Sequence, residues 1–258
     1  MVRVELYLDK SIEENASLYF EKSKKLRKKI EGAKEAVDTH KSKLEKLEKK
    51  KEVEIKEQEE IAKKAKKEWY EKFRWFISSE GFLILGGRDA TTNEIVIKKH
   101  TDANDIVFHT DLAGSPFFVI KTEGKKPIKT MQEVADATVT FSRVFKLGQS
   151  SSPVFWVSPD QVSKEAQSGE YLTKGAFMIR GKTNYIDNKI NLAVGKLKDG
   201  RLMAGPFEAI KKNCTLYIIL IQGDKKTSEI AKKIKHKLGG NLDDIIRIMP
   251  AGGIDIKK

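Results

Sequence analysis

Residues 69–85 read WYEKFRWFISSEGFLIL, and the character of the chain changes there. Upstream lies a run rich in Lys and Glu; here Trp69, Tyr70, Phe73, Trp75 and Phe76 arrive together. Aromatic side chains bury large apolar areas, so a charged segment is expected to dock onto a packed domain at this point. Residues 75–77 and 82–85 are short apolar runs separated by Ser78-Ser79-Glu80-Gly81, the pattern of a β-hairpin. The stretch therefore divides a helical arm from a domain that begins with paired strands.

Working upstream, Ser11 with Glu14 three residues later has the capping-box pattern of a helix start. Leu26, Ile30, Ala33, Val37, His40, Leu44 and Leu47 then follow one another at spacings of 4, 3, 4, 3, 4 and 3, a heptad seam flanked by Lys and Glu. His40 reads as a tolerated polar seam residue. The seam fails at residues 48–52, and a second stripe, Ile55, Ala62, Ala65 and Trp69, is out of phase with it. Such a slip fits two antiparallel helices or one irregular continuous helix. The hairpin is the expected arrangement, because a lone amphipathic helix needs a partner for its apolar face; self-association through the helices is the other way to supply one.

Downstream, Asp89 is placed to cap a helix over residues 90–99. Residues 105–109 and 117–121 read as strands around a tight loop, 130–145 as a core-facing helix, and 154–157 as a buried strand. Asp199-Gly200 is a hairpin turn, 215–221 a central strand and 228–238 a basic amphipathic helix. Strands and helices mix without a regular βαβ repeat. The fold class is α+β, a mixed-sheet domain with packed helices behind a long coiled-coil arm.

Composition narrows the function. The 258 residues carry a formal net charge of +13, which points to an anionic partner. The single cysteine, Cys214, precedes an apolar run and reads as a buried reduced thiol, so no disulfide framework or cysteine zinc site fits within one chain. No secretory leader pattern or membrane-length apolar run is present, and a cytoplasmic protein is expected.

Residues 161–182, QVSKEAQSGEYLTKGAFMIRGK, interleave Lys164, Tyr171, Lys174, Phe177, Arg180 and Lys182 with three glycines. Cations neutralise phosphates and rings stack on bases, so this is the composition of an RNA-contacting surface. On composition alone a surface loop entering an ordinary strand at 176–180 is the more common reading of such a stretch. Enzymatic signals are sparse. The Gly86-Gly87-Arg88-Asp89-Ala90 turn lacks the lysine and hydroxyl of a phosphate-binding P-loop. His109 and Asp111 alternate at a strand end and share a face, which suits acid–base work or, more commonly, a hydrogen-bonded loop start.

Three runs carry a resemblance: residues 72–100, KFRWFISSEGFLILGGRDATTNEIVIKKH; residues 105–121, DIVFHTDLAGSPFFVIK; and residues 155–182, FWVSPDQVSKEAQSGEYLTKGAFMIRGK. Together they resemble the RNA-binding domain of the NFACT family, which includes the nuclear export mediator factor, the ribosome quality-control proteins and bacterial proteins called fibronectin-binding. Residues 8–34 are similar to that family's middle coiled coil, and residues 217–234 and 249–256 to its C-terminal segment. Where family members have His-Ala-Asp-Leu-His-Gly, this chain has His109-Thr110-Asp111-Leu112-Ala113-Gly114, so the second histidine is missing. The chain begins where the family's N-terminal domain and helix-hairpin-helix would end.

The resemblance implies three parts: a coiled-coil arm (1–72), an RNA-binding domain (73–185) and a C-terminal α+β extension packed on or continuing it (186–258). It implies the RNA-binding, ribosome-associated part of a quality-control factor acting on stalled large subunits that hold peptidyl-tRNA. Ribosomal RNA or tRNA and the large subunit would be its partners, with no cofactor, metal, membrane or small-molecule substrate. Candidate RNA-binding residues are Lys72, Arg74, Arg88, Lys98, Lys99, His109, Asp111, Lys121, Lys164, Tyr171, Lys174, Arg180 and Lys182. Lys164, Lys174, Arg180 and Lys182 are expected to gather beside Arg74, Arg88 and Lys121. The alternatives are an RNA-processing enzyme built on His109 and Asp111, and an adhesion protein.

Overall fold

The computed structural model describes residues 4–64, 68–165 and 172–257, with side chains described outside 49–50 and 52–64. They fall into two units, Met1–Glu57 and Gln58–Lys258.

In the first unit α1 (Ile12–Lys64) starts at the expected capping box: Ser11 Oγ accepts from Glu14 N at 3.2 Å, and Glu14 Oε2 accepts from Ser11 N at 2.8 Å. Asn15, 4% exposed, ties the preceding segment to this first turn. Its Oδ1 accepts from Tyr7 N at 2.8 Å and its Nδ2 donates to Tyr7 O at 3.0 Å. The expected antiparallel hairpin is not formed; α1 runs unbroken through the phase slip. No Gly or Pro occurs between Gly32 and Gly81, and Lys and Glu are strong helix formers. A slipped stripe forfeits side-chain packing but no backbone hydrogen bond, so nothing in the sequence breaks the helix. The seam residues Leu26, Ile30, Val37, Leu44 and Leu47 are accordingly exposed.

The second unit holds two antiparallel sheets. The six strands of the first are β1 (Arg74–Ile77), β2 (Leu83–Gly86), β3 (Ile106–Thr110), β4 (Phe118–Lys121), β5 (Val154–Val157) and β8 (Asn184–Ile186), in the order β1-β2-β4-β3-β5-β8. Between β5 and β8 the chain makes a small ribbon, β6 (Val162–Ser163) with β7 (Met178–Ile179). The second sheet is β9 (Leu192–Lys196), β10 (Leu202–Gly205), β11 (Leu216–Lys225) and β12 (Ile254–Ile256), ordered β10-β9-β11-β12. The hairpins expected around residues 78–81 and 199–200 are both present.

Six helices accompany the sheets: α2 (Ala90–Lys99), α3 (Lys129–Thr140), α4 (Arg143–Lys146), α5 (Phe207–Asn213), α6 (Thr227–Leu238) and α7 (Leu242–Ile248). The single helix expected over 130–145 is two. Ser142 separates them, its Oγ donating to Val139 O at 2.7 Å and accepting from Val144 N at 3.2 Å. A serine hydroxyl competes with main-chain partners and ends one helix while capping the next. Buried apolar side chains from both sheets form one core, including Phe76, Phe108 and Phe118 from the first and Val194, Met203 and Leu220 from the second. The sheets also meet through polar groups: Ile77 N donates to Met203 Sδ at 3.2 Å, and Asn213 Nδ2 to Ile77 O at 3.0 Å.

Candidate nucleic-acid interface

The site grows from the turn between β2 and α2. Asp89 caps α2, its Oδ1 accepting from Thr92 N at 2.8 Å, and Thr92 Oγ1 in return accepts from Arg88 N and Asp89 N. Gly87 is required by close approach: a Cβ there would lie 1.7 Å from Asn93 Oδ1. Asn93 in turn accepts from Phe117 N at 3.1 Å and donates to Ser115 O at 3.4 Å, which fixes the 111–117 loop against α2. Across from it, Gly175 at φ +81° sits so close to Ala90 that a Cβ would fall 2.5 Å from Ala90 Cα. The three segments enclose a cleft of about 330 Å³ lined by Arg74, Arg88, Phe117, Phe141, Phe177 and Ile179, among others.

Two guanidinium groups face this cleft. Arg74, on β1, lies over the Phe141 ring with its Cζ 4.6 Å from the centroid and donates to Met249 O at 3.3 Å. Burial, and then the charge of Arg88, push its pKa down to about 10, so it stays charged at neutral pH. Arg88 donates to Glu71 O at 3.3 Å. Its pKa is also lowered, first by burial and then by Arg247, against the opposing charges of Asp244 and Asp89. Lys174 stands exposed close enough to Asp89 to help hold that carboxyl below its ordinary value, after the Thr92 N–H bond that dominates.

The other expected residues divide by what their side chains already hold. Lys164 is a strut rather than a free cation: its Nζ pairs with Glu94 at 2.7 Å and donates to Thr173 O and Ala176 O at 3.0 and 2.9 Å. Lys121 lies three positions along β4 from Phe118, roughly 10 Å from the cleft end of the strand. It is paired with Asp102 at 2.7 Å and with Asp105, so it does not join the cluster expected beside Arg74 and Arg88. Arg180 and Lys182 are exposed in the turn after β7, with Arg180 3.7 Å from the Glu165 carboxylate. Tyr171 lies outside the described residues.

A second cationic group surrounds the C-terminal end of α2. Lys98 and Lys99 are exposed there, and Lys72 stands 4.9 Å from the Phe73 ring centroid. His100 stacks on Trp69 with centroids 4.6 Å apart, and Trp69 is 48% exposed. Burial, reinforced by Lys72, Lys121 and Lys99, lowers the His100 pKa and keeps it neutral. Trp69, which the sequence reading took only for packing, thus keeps part of its indole exposed in a region that also carries Lys72, Lys98 and Lys99. The signal was present as Trp69 next to the charged run.

His109 and Asp111 bond to different partners. His109 stacks on Phe117 at 4.1 Å and its Nε2 lies 3.2 Å from Ser115 O, so Nε2 carries the proton. Burial lowers its pKa despite this bond and the nearby Asp111 charge. Asp111 instead accepts from Tyr185 Oη at 3.3 Å. Cys214 is half-buried rather than buried, and burial followed by the charge of Asp199 raises its thiol pKa to about 11. Among the described residues no group of His, Cys, Asp and Glu is arranged to hold a metal ion, and no helix is long and apolar enough to cross a membrane.

Residues 72–181 match the NFACT protein RNA binding domain. The chain is 44% identical over 209 residues to the archaeal Rqc2 homolog aRqcH of Methanocaldococcus jannaschii, covering 77% of this chain and 31% of that protein. It is 40% identical over 174 residues to the human ribosome quality control complex subunit NEMF, covering 67% of this chain and 16% of the other. Against ribosome quality control complex subunit 2 of Schizosaccharomyces pombe it is 39% identical over 121 residues, 46% of this chain and 12% of that one. The chain thus spans under a third of the length of these relatives. With the RNA-binding domain matched and these identities sustained, the chain belongs to the NFACT family.

Proposed function

We propose that this chain is the RNA-gripping part of a ribosome quality-control factor that acts in the cytoplasm on large subunits still holding peptidyl-tRNA after a stall. The observation that carries the reading is the cleft with Arg74 and Arg88 at its wall, in a domain whose relatives are named for ribosome quality control. Exposed Lys174, Arg180 and Lys182 on the 172–182 segment, and Lys72, Lys98 and Lys99 around Trp69, extend the cationic surface. Phosphates supply the matching charge and bases the matching stacking faces. In this reading the chain works by binding and not by turnover, since His109 and Asp111 are each committed to structural partners. The arm α1, on the order of 80 Å long at 1.5 Å per residue, serves as a reaching element.

The test is crosslinking of the tagged chain in lysate, followed by sequencing of the recovered RNA and sedimentation alongside ribosomal subunits. Enrichment of large-subunit ribosomal RNA or tRNA, with co-sedimentation at the large subunit, is expected. Recovery of messenger RNA alone, with the chain remaining at the top of the gradient, would overturn the assignment.

A further inference from the structure

Resting on the RNA-binding reading, we infer that the cleft at the start of α2 is a recessed site for a single RNA phosphate, gripped by Arg74 and Arg88, with the base of that nucleotide against Phe177 and Ile179.

The tethering of the two arginines is the first reason. Each donates to a main-chain carbonyl, Arg74 to Met249 O and Arg88 to Glu71 O. A carbonyl fixes the direction of a guanidinium without cancelling its charge, and neither arginine forms an ion pair among the described residues. The carboxylates whose charge Arg88 feels are otherwise engaged, Asp89 as the cap of α2 and Asp244 with Arg247 at 4.0 Å. Holding two like charges together with little water costs energy, and burial and mutual repulsion weaken proton binding at Arg74 accordingly. An incoming anion relieves that cost.

The second reason is an unmet donor. Arg88 Nε is the one buried side-chain nitrogen or oxygen without a hydrogen-bond partner among the described residues. Such a donor is costly, and its presence marks a place where an acceptor is missing. A phosphate presents several oxygens and fits the planar fork of a guanidinium in a bidentate manner.

The third is shape. The volume of about 330 Å³ falls at the low end of the roughly 300–1,000 Å³ seen for small-ligand sites, suited to one nucleotide rather than a groove for a strand. Phe177 and Ile179 on its wall are only half-buried and supply an apolar surface for a base. Phe177 is held in place edge-on to Phe117 at 5.4 Å and beneath Lys164 Nζ at 5.1 Å.

The phosphate has two possible sources, an RNA end or an internal linkage. Titration calorimetry with short oligouridines of one length bearing a 5′-hydroxyl, a 5′-phosphate or a 3′-phosphate separates them. A terminal source gives wild type a preference for one phosphorylated end, and Arg88→Gln abolishes that preference. An internal source gives equal binding of all three, weakened on the order of tenfold by Arg88→Gln. In either case Arg88→Lys fails to restore affinity, because the fork is lost while the charge remains, and Lys212→Gln, an exposed change on α5, leaves it intact. Arg74→Gln is expected to match Arg88→Gln; should it fail to fold, Arg88→Gln and Arg88→Lys alone decide. Unchanged affinity of Arg88→Gln for all three RNAs overturns the cleft while leaving the RNA-binding reading in place. Failure of wild type to bind any of them overturns both.

Discussion

Arg201 offers a direct test of whether the two sheets of the second unit melt as one body. It follows the Asp199-Gly200 turn and reaches back to the segment that enters β1, donating from Nη1 to Tyr70 Oη at 2.9 Å and to Glu71 Oε1 at 3.2 Å. Its Nε and Nη2 hold Asp199 Oδ2 at 2.8 and 2.7 Å, and its guanidinium lies 5.3 Å from the Trp75 ring. Arg201 and Glu71 are 23% and 19% exposed, so the pair is worth more than a surface ion pair and less than a dry one. Charged hydrogen bonds contribute about 1.5–3 kcal/mol each when made and cost more when one partner is stranded. After discounting for partial exposure, Arg201→Met is expected to cost about 2 kcal/mol, or roughly 4–8 °C in Tm for a unit of this size. Arg201→Lys, which keeps the charge and loses the fork, should cost about half as much. Calorimetry of wild type, both variants, Glu71→Gln and the Arg201→Met/Glu71→Gln double variant gives the coupling, expected near 1 kcal/mol. A single transition should shift as a whole. If Arg201→Met melts within about 1 °C of wild type, or only a separate minor transition moves, the cross-link carries no such weight. Acid adds a check. Burial alone would raise the Asp199 carboxyl, but the bonds from Arg201 hold it below its ordinary value. That contribution is present above about pH 4 and lost as pH falls through the lowered folded value, so wild type should lose more stability on acidification than Arg201→Met.

Removing Arg180 and Lys182 together should lower the slope of log affinity against log salt for single-stranded RNA by about 0.7 per lost contact, or about 1.4, with Arg180 at the low end because Glu165 stands beside it. An unchanged slope in the salt titration moves the contact off residues 180–182. Glu133, 6% exposed and hydrogen-bonded to Ser79 N at 2.9 Å, has its pKa raised by burial and then by Glu80 and Glu208. Glu133→Gln should therefore raise Tm at pH 8, with the gain shrinking as acidification neutralises the wild-type carboxyl; a gain that grows toward low pH would contradict this. The exposed seam of α1 predicts concentration-dependent self-association in light scattering that Leu44→Glu abolishes. A wild-type chain that stays monomeric at high concentration would refute it.

The sequence disclosed most of what local chemistry controls. The Ser11 and Asp89 caps, the turn at Gly81 and the hairpin at Asp199-Gly200 are short-range devices, each set by a few neighbouring residues, and each appears where its residues stand. Where partners far apart in sequence compete, the reading failed in a consistent way. The phase slip in the seam suggested a turn, but a hairpin needs a residue that breaks the helix, and residues 33–80 contain neither Gly nor Pro. The helix expected over 130–145 is divided at Ser142, whose hydroxyl bonds both Val139 O and Val144 N. Arg74 and Arg88 were grouped with Lys121 from the sequence; the register that sets Arg74 opposite Gly86 brings the two arginines to one cleft, whose lining does not include Lys121.

Two of the expected lysines are already engaged within the protein. Lys121 and Lys164 were read as phosphate contacts on composition, yet each spends its three donors inside the protein. For Lys121, burial alone would lower the pKa, and Asp102 and Asp105 more than reverse this, so its charge is held by carboxylates before any ligand arrives. Lys164 pins the 172–177 segment to α2 through Glu94, Thr173 O and Ala176 O, which is what brings Phe177 and Gly175 to the cleft. A lysine's flexible stem and three rotatable donors suit it to bridging acceptors that face different ways. The arginines of the cleft take the opposite part: each is directed by one main-chain carbonyl and pairs with no carboxylate among the described residues. Half-buried Lys164 braces one wall of the cleft, Lys121 stands away from it, and the two arginines are left with charge to offer.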